Sequence, residues 1–195
     1  MSIDRPVHNA PAHHARTRDE LAAAIHGGDH PQWLLFWGHR PEPDGSIGAN
    51  CLSQWYPAPF TIDGVSYPST EHFMMAAKAR LFADTYTETR IRTARTPADA
   101  KQLGRKVVGF NEKVWVRHRS ETVFIGNVAK FHQHPRLAEF LAATSPRVLV
   151  EASPYDRIWG IGLRASDPRA TDPTAWPGMN LLGFALARVR AHLAS

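Results

Sequence analysis

The sequence predicts an α+β protein, built as a mainly helical single domain that carries a small antiparallel sheet of short strands. After residue 68, capped stretches of helix-forming residues dominate. Before it, brief apolar and aromatic runs separated by Pro and Gly favour strands. The 195 residues, 43% hydrophobic and 21% charged, suit one globular domain with its own core.

Net charge indicates the class of ligand. A net charge of +5 and a pI of about 9.7 suit a phosphate-bearing ligand or a nucleic acid. The basic residues are nevertheless scattered, as on an ordinary solvated surface. Those that come closest to a patch are Arg90, Arg92, Arg95, Arg105, Lys106, Arg117 and Arg119.

Cysteine content and hydropathy argue against a disulfide-bonded, Cys-rich metal-binding, membrane-spanning or exported protein. The single cysteine, Cys51, rules out an internal disulfide and Cys-rich metal motifs, and it fits a reducing compartment. No apolar run approaches the ~20 residues of a membrane span, and the N-terminus lacks an apolar signal core. We therefore expect a cytoplasmic protein with no membrane partner.

Residues 1–30 are predicted to form a flexible N-terminal arm with one short helix, and residues 31–195 to form the domain. The arm begins with Pro, Ala and His in no periodic pattern. Thr17 and Glu20 then match a capping box, and Gly27 ends the helix.

Short extended segments open the domain. The apolar run Gln32–Trp37 and the segment Cys51–Tyr56 predict strands. The residues on either side of Asp63-Gly64 predict a hairpin, because this dipeptide favours a tight turn.

The next segment predicts a helix with charges on its apolar face. Pro68 ends the extended region, and Ser69 or Thr70 can cap the first turn. At helical spacing, one face carries Glu71, Met74, Met75, Lys78, Leu81 and Phe82. Opposite charges on an apolar face suggest a catalytic site. The alternative is a first-turn Glu71 favoured by the helix dipole and a Lys78 whose ammonium reaches solvent.

The rest of the chain is predicted to be mainly helical. One long helix places Trp115, Arg119 and Lys130 on one side, which suits a base and a phosphate, or else a half-buried Trp beside solvated cations. Asn180 is predicted to cap the last helix. The predicted elements are helices at Asp84–Thr93, Ala98–Lys106, Asn111–His132, Pro135–Thr144 and Leu181–Leu193, and a strand at Val148–Glu151.

Two loop features bear on chemistry. In the segment 152–162, glycines beside Trp159 let the backbone approach a ligand while the indole stacks on a ring, and Asp156 adds a carboxylate. His132 and His134 form an H-x-H pair, but no third ligand is evident beyond the nearby Glu139. No metal site and no cofactor are predicted.

Several motifs occur in a characteristic order: Leu52-Ser53-Gln54-Trp55-Tyr56, Tyr67-Pro68-Ser69-Thr70-Glu71 with Lys78, Trp115 with Arg119, Lys130-Phe131, Glu151-Ala152-Ser153-Pro154, Asp156 with Trp159-Gly160-Ile161-Gly162, and Asn180-Leu181-Leu182-Gly183. From Phe36 to Arg190, the chain thereby resembles the NADAR (YbiA-like) family of N-glycosidases. Gln54 departs from the family, which commonly has Asn after Leu-Ser.

The resemblance implies an enzyme that hydrolyses the bond between a ribose C1 and a nitrogen. The resemblance implies two substrate classes: ADP-ribose linked to guanine, with DNA or RNA carrying the modification as the partner, and a phosphoribosylamino-pyrimidine intermediate of riboflavin synthesis. The basic net charge favours the first, and the second is the alternative. A non-catalytic ADP-ribose-binding module is a third reading, since it would use the same stacking Trp and phosphate-facing Arg.

The site hypothesis assigns three catalytic residues. Lys78 is the nucleophile or a cation at C1, Glu71 is the acid and base, and Asp156 orients the sugar. Trp159 or Trp115 would stack on the base, and Arg119 would meet phosphate. The residues predicted to bind substrate are Phe36, Gly38, Ser53, Gln54, Tyr67, Trp115, Arg119, Ser153, Trp159 and Gly160.

Overall fold

The computed structural model describes residues 10–195, and the predicted α+β class is confirmed. Within this part of the chain, seven α-helices and four short strands form the regular structure, with 3₁₀ helices between them. The elements are α1 (Arg18–His26), β1 (Trp33–Phe36), β2 (Phe60–Ile62), β3 (Val65–Tyr67), α2 (Thr70–Leu81), α3 (Thr85–Arg92), α4 (Pro97–Gly104), α5 (Glu112–Gln133), α6 (Pro135–Ala143), β4 (Val148–Glu151) and α7 (Leu181–Leu193). No α-helix among these is long and apolar enough to cross a bilayer.

The predicted N-terminal arm falls partly outside the described residues, which begin at residue 10. In the described part, Ala12 and Ala15 are buried, and the Ala12 N–H donates to the Asp29 carboxylate at 2.7 Å. The predicted cap of α1 is confirmed, since the Thr17 hydroxyl accepts the Glu20 N–H at 3.1 Å.

The strands form two separate two-stranded sheets. β2 and β3 make the predicted antiparallel hairpin, with Phe60 opposite Tyr67. Its turn residues Asp63 and Gly64 both have positive φ, 51° and 75°, as a tight type I′ turn requires. β1 pairs with β4 in the other sheet.

The predicted strand at Cys51–Tyr56 is wrong. A 3₁₀ helix occupies Ala49–Leu52, and turns follow it. The carbonyls of Cys51 and Ser53 accept hydrogen bonds from the Lys130 ammonium, so these two groups are held by a side chain rather than a neighbouring strand.

The described chain divides into two compact units. The strand unit comprises the described residues up to Leu35 together with Thr144–Ala187, and the helical unit comprises Phe36–Ala143 with Arg188–Ser195. In the strand unit, β4 contributes buried valines to a core that includes Leu21, Val148, Val150, Ile161 and Trp176.

Helix α2 is the centre of the helical unit. It packs against α3, α4 and α5, and nine of its twelve residues are buried. The predicted face is buried at Glu71, Met74, Met75 and Lys78. Burial also extends to other sides of α2, because neighbours surround the helix and even His72 is enclosed. Gly126 of α5 permits one close approach, since a Cβ there would lie 2.6 Å from Cδ1 of Phe73.

Candidate active site

The N-terminus of α2 holds Glu71 in a fixed position. The Ser69 hydroxyl accepts the His72 N–H at 3.5 Å as the helix cap. The Gln54 carbonyl accepts both the Glu71 N–H at 3.0 Å and the Thr70 hydroxyl at 2.9 Å. Glu71 is only 2% exposed. A buried carboxyl in the first turn of a central helix is suited to transfer a proton to a bound substrate.

Lys78 lies two turns further along α2, where another helix ends. Its ammonium donates to the carbonyl of Gly104, the last residue of α4, at 2.7 Å and lies 4.0 Å from the centroid of the Phe110 ring. Burial, together with the nearby Arg105 cation, lowers the pKa of Lys78 below its ordinary value. Because the residue keeps 9% exposure, the amine is enclosed yet lies at the edge of the protein interior. A more readily deprotonated amine is what a nucleophilic lysine needs.

Glu71 and Lys78 thus lie on the same helix of the same unit. Seven residues of helix correspond to a rise of ~10.5 Å, and helical side chains lean towards the N-terminus. This spacing suits a sugar between the two groups. The Lys78 hydrogen bond to the Gly104 carbonyl also gives this lysine a structural role, since it satisfies a carbonyl at the end of α4.

Gln54 is buried beside the start of α2. Its amide Nε2 lies 3.7 Å from Sδ of Met74, and Oε1 has no hydrogen-bond partner among the described residues. The neighbouring Ser53 hydroxyl accepts the Trp55 N–H at 3.1 Å. Contact of Ser53 and Gln54 with substrate stays a prediction.

The mixed face predicted on α5 divides into two parts. Trp115 and Arg119 are half-buried, and burial lowers the pKa of Arg119 despite the opposing effect of Glu112. Further along, Gly126 and Lys130 belong to the interior. Only the first part can therefore meet a ligand.

Other predicted substrate-binding residues of the helical unit are packed inside or shape the backbone. Tyr67 is buried against Phe60 and Phe73, and its hydroxyl accepts a hydrogen bond from Arg80 at 3.0 Å. Phe36 is buried, and Gly38 has a φ of 107° that favours glycine. The enclosure of Tyr67 and Phe36 favours packing roles over direct substrate contact.

The remaining predicted site residues share one loop of the strand unit. The Asp156 carboxylate accepts the N–H groups of Ile158 at 2.9 Å and Trp159 at 2.8 Å. Gly160 is tightly enclosed, since a Cβ there would lie 2.8 Å from the Glu151 carbonyl oxygen. Ser153 is buried nearby, 3.1 Å from that same Cβ position. The loop is rigid because its own side chain and backbone groups hold it.

Asn180 stands at the predicted N-cap position of α7, where its carbonyl accepts the Phe184 N–H at 3.2 Å, but its side chain braces this loop instead of bonding the first turn of the helix. The side-chain oxygen accepts the Glu151 N–H at 3.0 Å, and the side-chain nitrogen donates to the Leu149 carbonyl at 2.9 Å. Asn180 itself has a φ of 54°, a conformation that Asn tolerates well. Its backbone N–H donates to the Gly160 carbonyl at 3.2 Å. Strand β4 and the Gly160 loop are thereby fixed to one another.

Similarity to known proteins decides the family. Residues 35–194 match the family model of the NADAR domain. The chain belongs to the NADAR family. Over 148 residues it is 40% identical to N-glycosidase R617 of Acanthamoeba polyphaga mimivirus. These residues cover 73% of this chain and 87% of R617. Over 136 residues it is 32% identical to N-glycosidase YbiA of Escherichia coli K12. These residues cover 70% of this chain and 76% of YbiA.

Two further similarities concern fold and pathway. The NMR structure of E. coli YbiA matches with a TM-score of 0.67 and 28% identity, covering 85% of this chain and 86% of that one. The fold is therefore that of YbiA. Riboflavin biosynthesis protein VVA0006 of Vibrio vulnificus is 33% identical over 121 residues, which cover 62% of this chain and 32% of VVA0006. This NADAR chain thus spans about a third of VVA0006.

Lys130 is the residue of this NADAR chain whose role sequence reasoning missed. It is fully buried, and its ammonium donates to the carbonyls of Cys51 at 2.5 Å and Ser53 at 3.0 Å. Burial lowers the pKa of Lys130 to about 8, and burial raises the pKa of the adjacent Cys51 thiol to about 11. Its place in a Lys-Phe motif was visible in the sequence, but its burial was not.

His134 of the H-x-H pair contacts the backbone of the β2 approach. The His134 ring Nε2 lies 2.8 Å from the Pro59 carbonyl oxygen, and Gln133 bonds the backbone N–H and carbonyl of Thr61. In residues 10–195, no group of three His, Cys, Asp or Glu side chains could hold a metal ion.

Proposed function

We propose that this chain hydrolyses a ribosyl C1–N bond, and that its substrate is ADP-ribose attached to guanine in a nucleic acid. The observation that carries the proposal is the burial of Glu71 and Lys78 on one helix. Buried groups of opposite charge are costly to keep unless they serve chemistry or structure. Two relatives, R617 and YbiA, are named N-glycosidases, which supports the reaction class.

The chemistry follows from these two groups. The neutral Lys78 amine attacks C1 while the C1–N bond breaks, and protonated Glu71 gives its proton to the leaving nitrogen. The Glu71 carboxylate then takes a proton from the new ammonium and passes it to the ring oxygen as the C1–O bond breaks. This opens the sugar and leaves a protonated Schiff base between Lys78 and C1. Water then adds to this intermediate and releases the ribose and the free amine. In the competing route, Glu71 deprotonates a water that attacks C1 directly, and Lys78 acts as a cation beside the sugar.

The other groups have supporting roles in the proposal. Asp156, whose Oδ1 accepts two backbone N–H groups of its own loop, stays the predicted sugar-orienting carboxylate. Trp115 or Trp159 would stack on the base, and Arg119 would meet a phosphate. Trp115 and Arg119 are half-buried on the same stretch of α5, which suits this pairing.

The distribution of charge favours a nucleic acid as the carrier of the modified base. The sequence of the helical unit holds 16 Lys and Arg against 10 Asp and Glu, a net charge of +6. The rest of the sequence holds 7 against 8, a net charge of −1. A positive field around the unit that holds Glu71 and Lys78 would attract a polyanion.

A phosphoribosylamino-pyrimidine is the second candidate substrate. It is favoured by the similarity to VVA0006, which is named a riboflavin biosynthesis protein. It offers the same ribose C1–N bond to Glu71 and Lys78, but a single small phosphate does not call for a cationic surface.

A product assay tests the proposal. Purified protein is incubated with an ADP-ribosylated guanine oligonucleotide and, separately, with the phosphoribosylamino-pyrimidine. Free ADP-ribose from the first substrate, and free pyrimidine and ribose phosphate from the second, are quantified. We expect faster turnover of the oligonucleotide, and loss of it in Lys78→Ala. Preferential cleavage of the pyrimidine would establish the second candidate instead. Binding of ADP-ribose without turnover of either substrate would identify a non-catalytic module.

A further inference from the structure

The turn between α4 and α5, residues 105–111, forms a wall beside the Lys78 amine. Gly104, directly before the turn, supplies the carbonyl that accepts the Lys78 hydrogen bond at 2.7 Å. Phe110, within the turn, places its ring 4.0 Å from the ammonium. This turn therefore adjoins the Lys78 amine.

The side chains of this turn face solvent. Arg105 and Lys106 are exposed, and neither forms an ion pair within 4.0 Å among residues 10–195. Val108 is 72% exposed and Phe110 is 43% exposed. The turn thus combines available positive charge with exposed apolar surface.

Helix α3 extends this surface. The Val108 N–H donates to the Asp84 carboxylate at 2.9 Å, and the same carboxylate caps α3 by accepting the Thr87 N–H at 3.0 Å. Two residues after Asp84, Tyr86 is 72% exposed, and the Arg90 guanidinium carbon lies 5.5 Å from its ring centroid. An aromatic ring with a cation beside it therefore adjoins the turn.

Three carboxylates of this region form structural bonds, and a fourth, Glu112, lies exposed in the first turn of α5. Asp84 accepts the two backbone N–H groups described above. Glu88 is hydrogen-bonded by Arg80, and Asp99 accepts the Thr96 hydroxyl at 2.7 Å. Arg90, Arg92 and Arg95 remain exposed around them. The surface therefore presents cations outward while three of its acidic groups hold helix ends and a side chain.

We propose that the α4–α5 turn and α3 form a docking surface for single-stranded nucleic acid. This inference rests on the proposed function, and it assigns the place where the strand next to the modified guanine binds. Arg105, Lys106 and Arg90 contact phosphates, while Tyr86 and Phe110 stack on unpaired bases. Exposed aromatic rings between cations favour a single strand, because the bases of a duplex are already stacked on one another.

The first test compares a variant that loses two positive charges from the docking surface with a control variant that loses two positive charges elsewhere. Binding of a short unmodified single-stranded oligonucleotide is measured by fluorescence anisotropy between 50 and 200 mM salt for wild type, Lys106→Gln/Arg90→Gln and the control Arg16→Gln/Arg164→Gln. The control arginines are exposed in the strand unit. The slope of log affinity against log salt should become shallower by about 1.4 in the first variant, for two lost phosphate contacts, and stay unchanged in the control. Equal slopes in the two variants, or no binding by wild type, would overturn the proposal.

The second test concerns stacking. Tyr86→Ala should weaken single-strand binding by about fivefold or more, whereas Tyr86→Phe, which keeps the ring, should bind as wild type does. A duplex of the same sequence should bind more weakly than the single strand. Full affinity in Tyr86→Ala, or tighter binding of the duplex, would contradict the single-strand assignment.

Turnover of a small substrate separates this inference from the proposed function. Wild type and Lys106→Gln/Arg90→Gln are compared on ADP-ribosylated guanosine and on the same unit within an oligonucleotide. We expect the variant to raise KM for the oligonucleotide alone. If wild type and the variant turn over the oligonucleotide with equal KM values, the docking surface is refuted and the proposed function stands. Strand binding through the surface without turnover of either substrate would refute the proposed function alone.

Discussion

Lys78 and Lys130 are both buried in the helical unit, yet their surroundings give the two amines different uses. Lys78 keeps 9% exposure, has one hydrogen bond to the carbonyl of Gly104 at the end of α4 and rests on an aromatic ring. Lys130 has no exposed surface and bonds two carbonyls of one loop. Lys78 thus lies at the edge of the protein interior, whereas Lys130 lies fully within it.

The comparison teaches that a lowered lysine pKa does not by itself identify a nucleophile. Burial lowers the pKa of both side chains. Lys130 instead positions the loop whose next residue, Gln54, presents the carbonyl that accepts the Glu71 N–H. Lys130 thus affects the candidate site by positioning the backbone that bonds Glu71, whereas Lys78 is itself part of the candidate site.

The largest expected effect comes from removing the Lys78 amine. Lys78→Ala and Lys78→Arg should each lower kcat/KM on the ADP-ribosyl substrate by on the order of 10⁴-fold, because neither offers a neutral primary amine. Borohydride should trap a covalent adduct with wild type only. The exposed lysine variant Lys113→Ala serves as the control and should keep full activity. Full activity in both Lys78 variants would remove the nucleophile role.

Glu71→Gln should have the next largest effect. It keeps the size of the side chain and the Glu71 backbone bond to Gln54, but it loses the proton that the leaving nitrogen needs. We expect kcat to fall by about 10²–10⁴-fold with little change in thermal stability. The surface variant Glu139→Gln is the control. A Glu71→Gln enzyme with normal kcat would show that another group supplies the proton.

Lys130→Met should act mainly on stability. The two carbonyls of Cys51 and Ser53 would lose their donor, which should lower the free energy of unfolding by about 2–4 kcal/mol. Through the shifted loop, kcat/KM should fall by about tenfold, measured on samples that circular dichroism shows to be folded. Unchanged unfolding and unchanged kcat/KM would mean that Lys130 does not position the site.

The last prediction is the contribution of Lys130 to the pH dependence of stability. Its pKa is about 8 in the folded protein and close to 10.5 when unfolded, so between these values only the unfolded chain holds the proton. The cost of burying the charge is therefore fully present below pH 8 and is relieved as pH rises towards 10.5. Wild type should gain up to about 3 kcal/mol of unfolding free energy across this window relative to Lys130→Met. Parallel curves for the two proteins in chemical denaturation would contradict this assignment.

Local features of the fold were predictable from sequence. The caps Thr17 and Ser69 and the turn at Asp63-Gly64 depend on residues a few positions apart, and the structure confirms them. The ends of the helices also agree with the predictions to within a few residues. Errors arose where distant groups intervened, as at Cys51–Tyr56, whose carbonyls bond a lysine on α5.

The candidate site divides in the same way. Sequence alone determined that Glu71 and Lys78 lie on one helix, since caps and residue type define that helix locally. Tertiary structure decided how deeply each is buried, that Lys130 is fully enclosed, and that Asn180 braces β4. The physical reason is that burial and pKa depend on which remote segments pack around a side chain, and a linear pattern records spacing along one segment only.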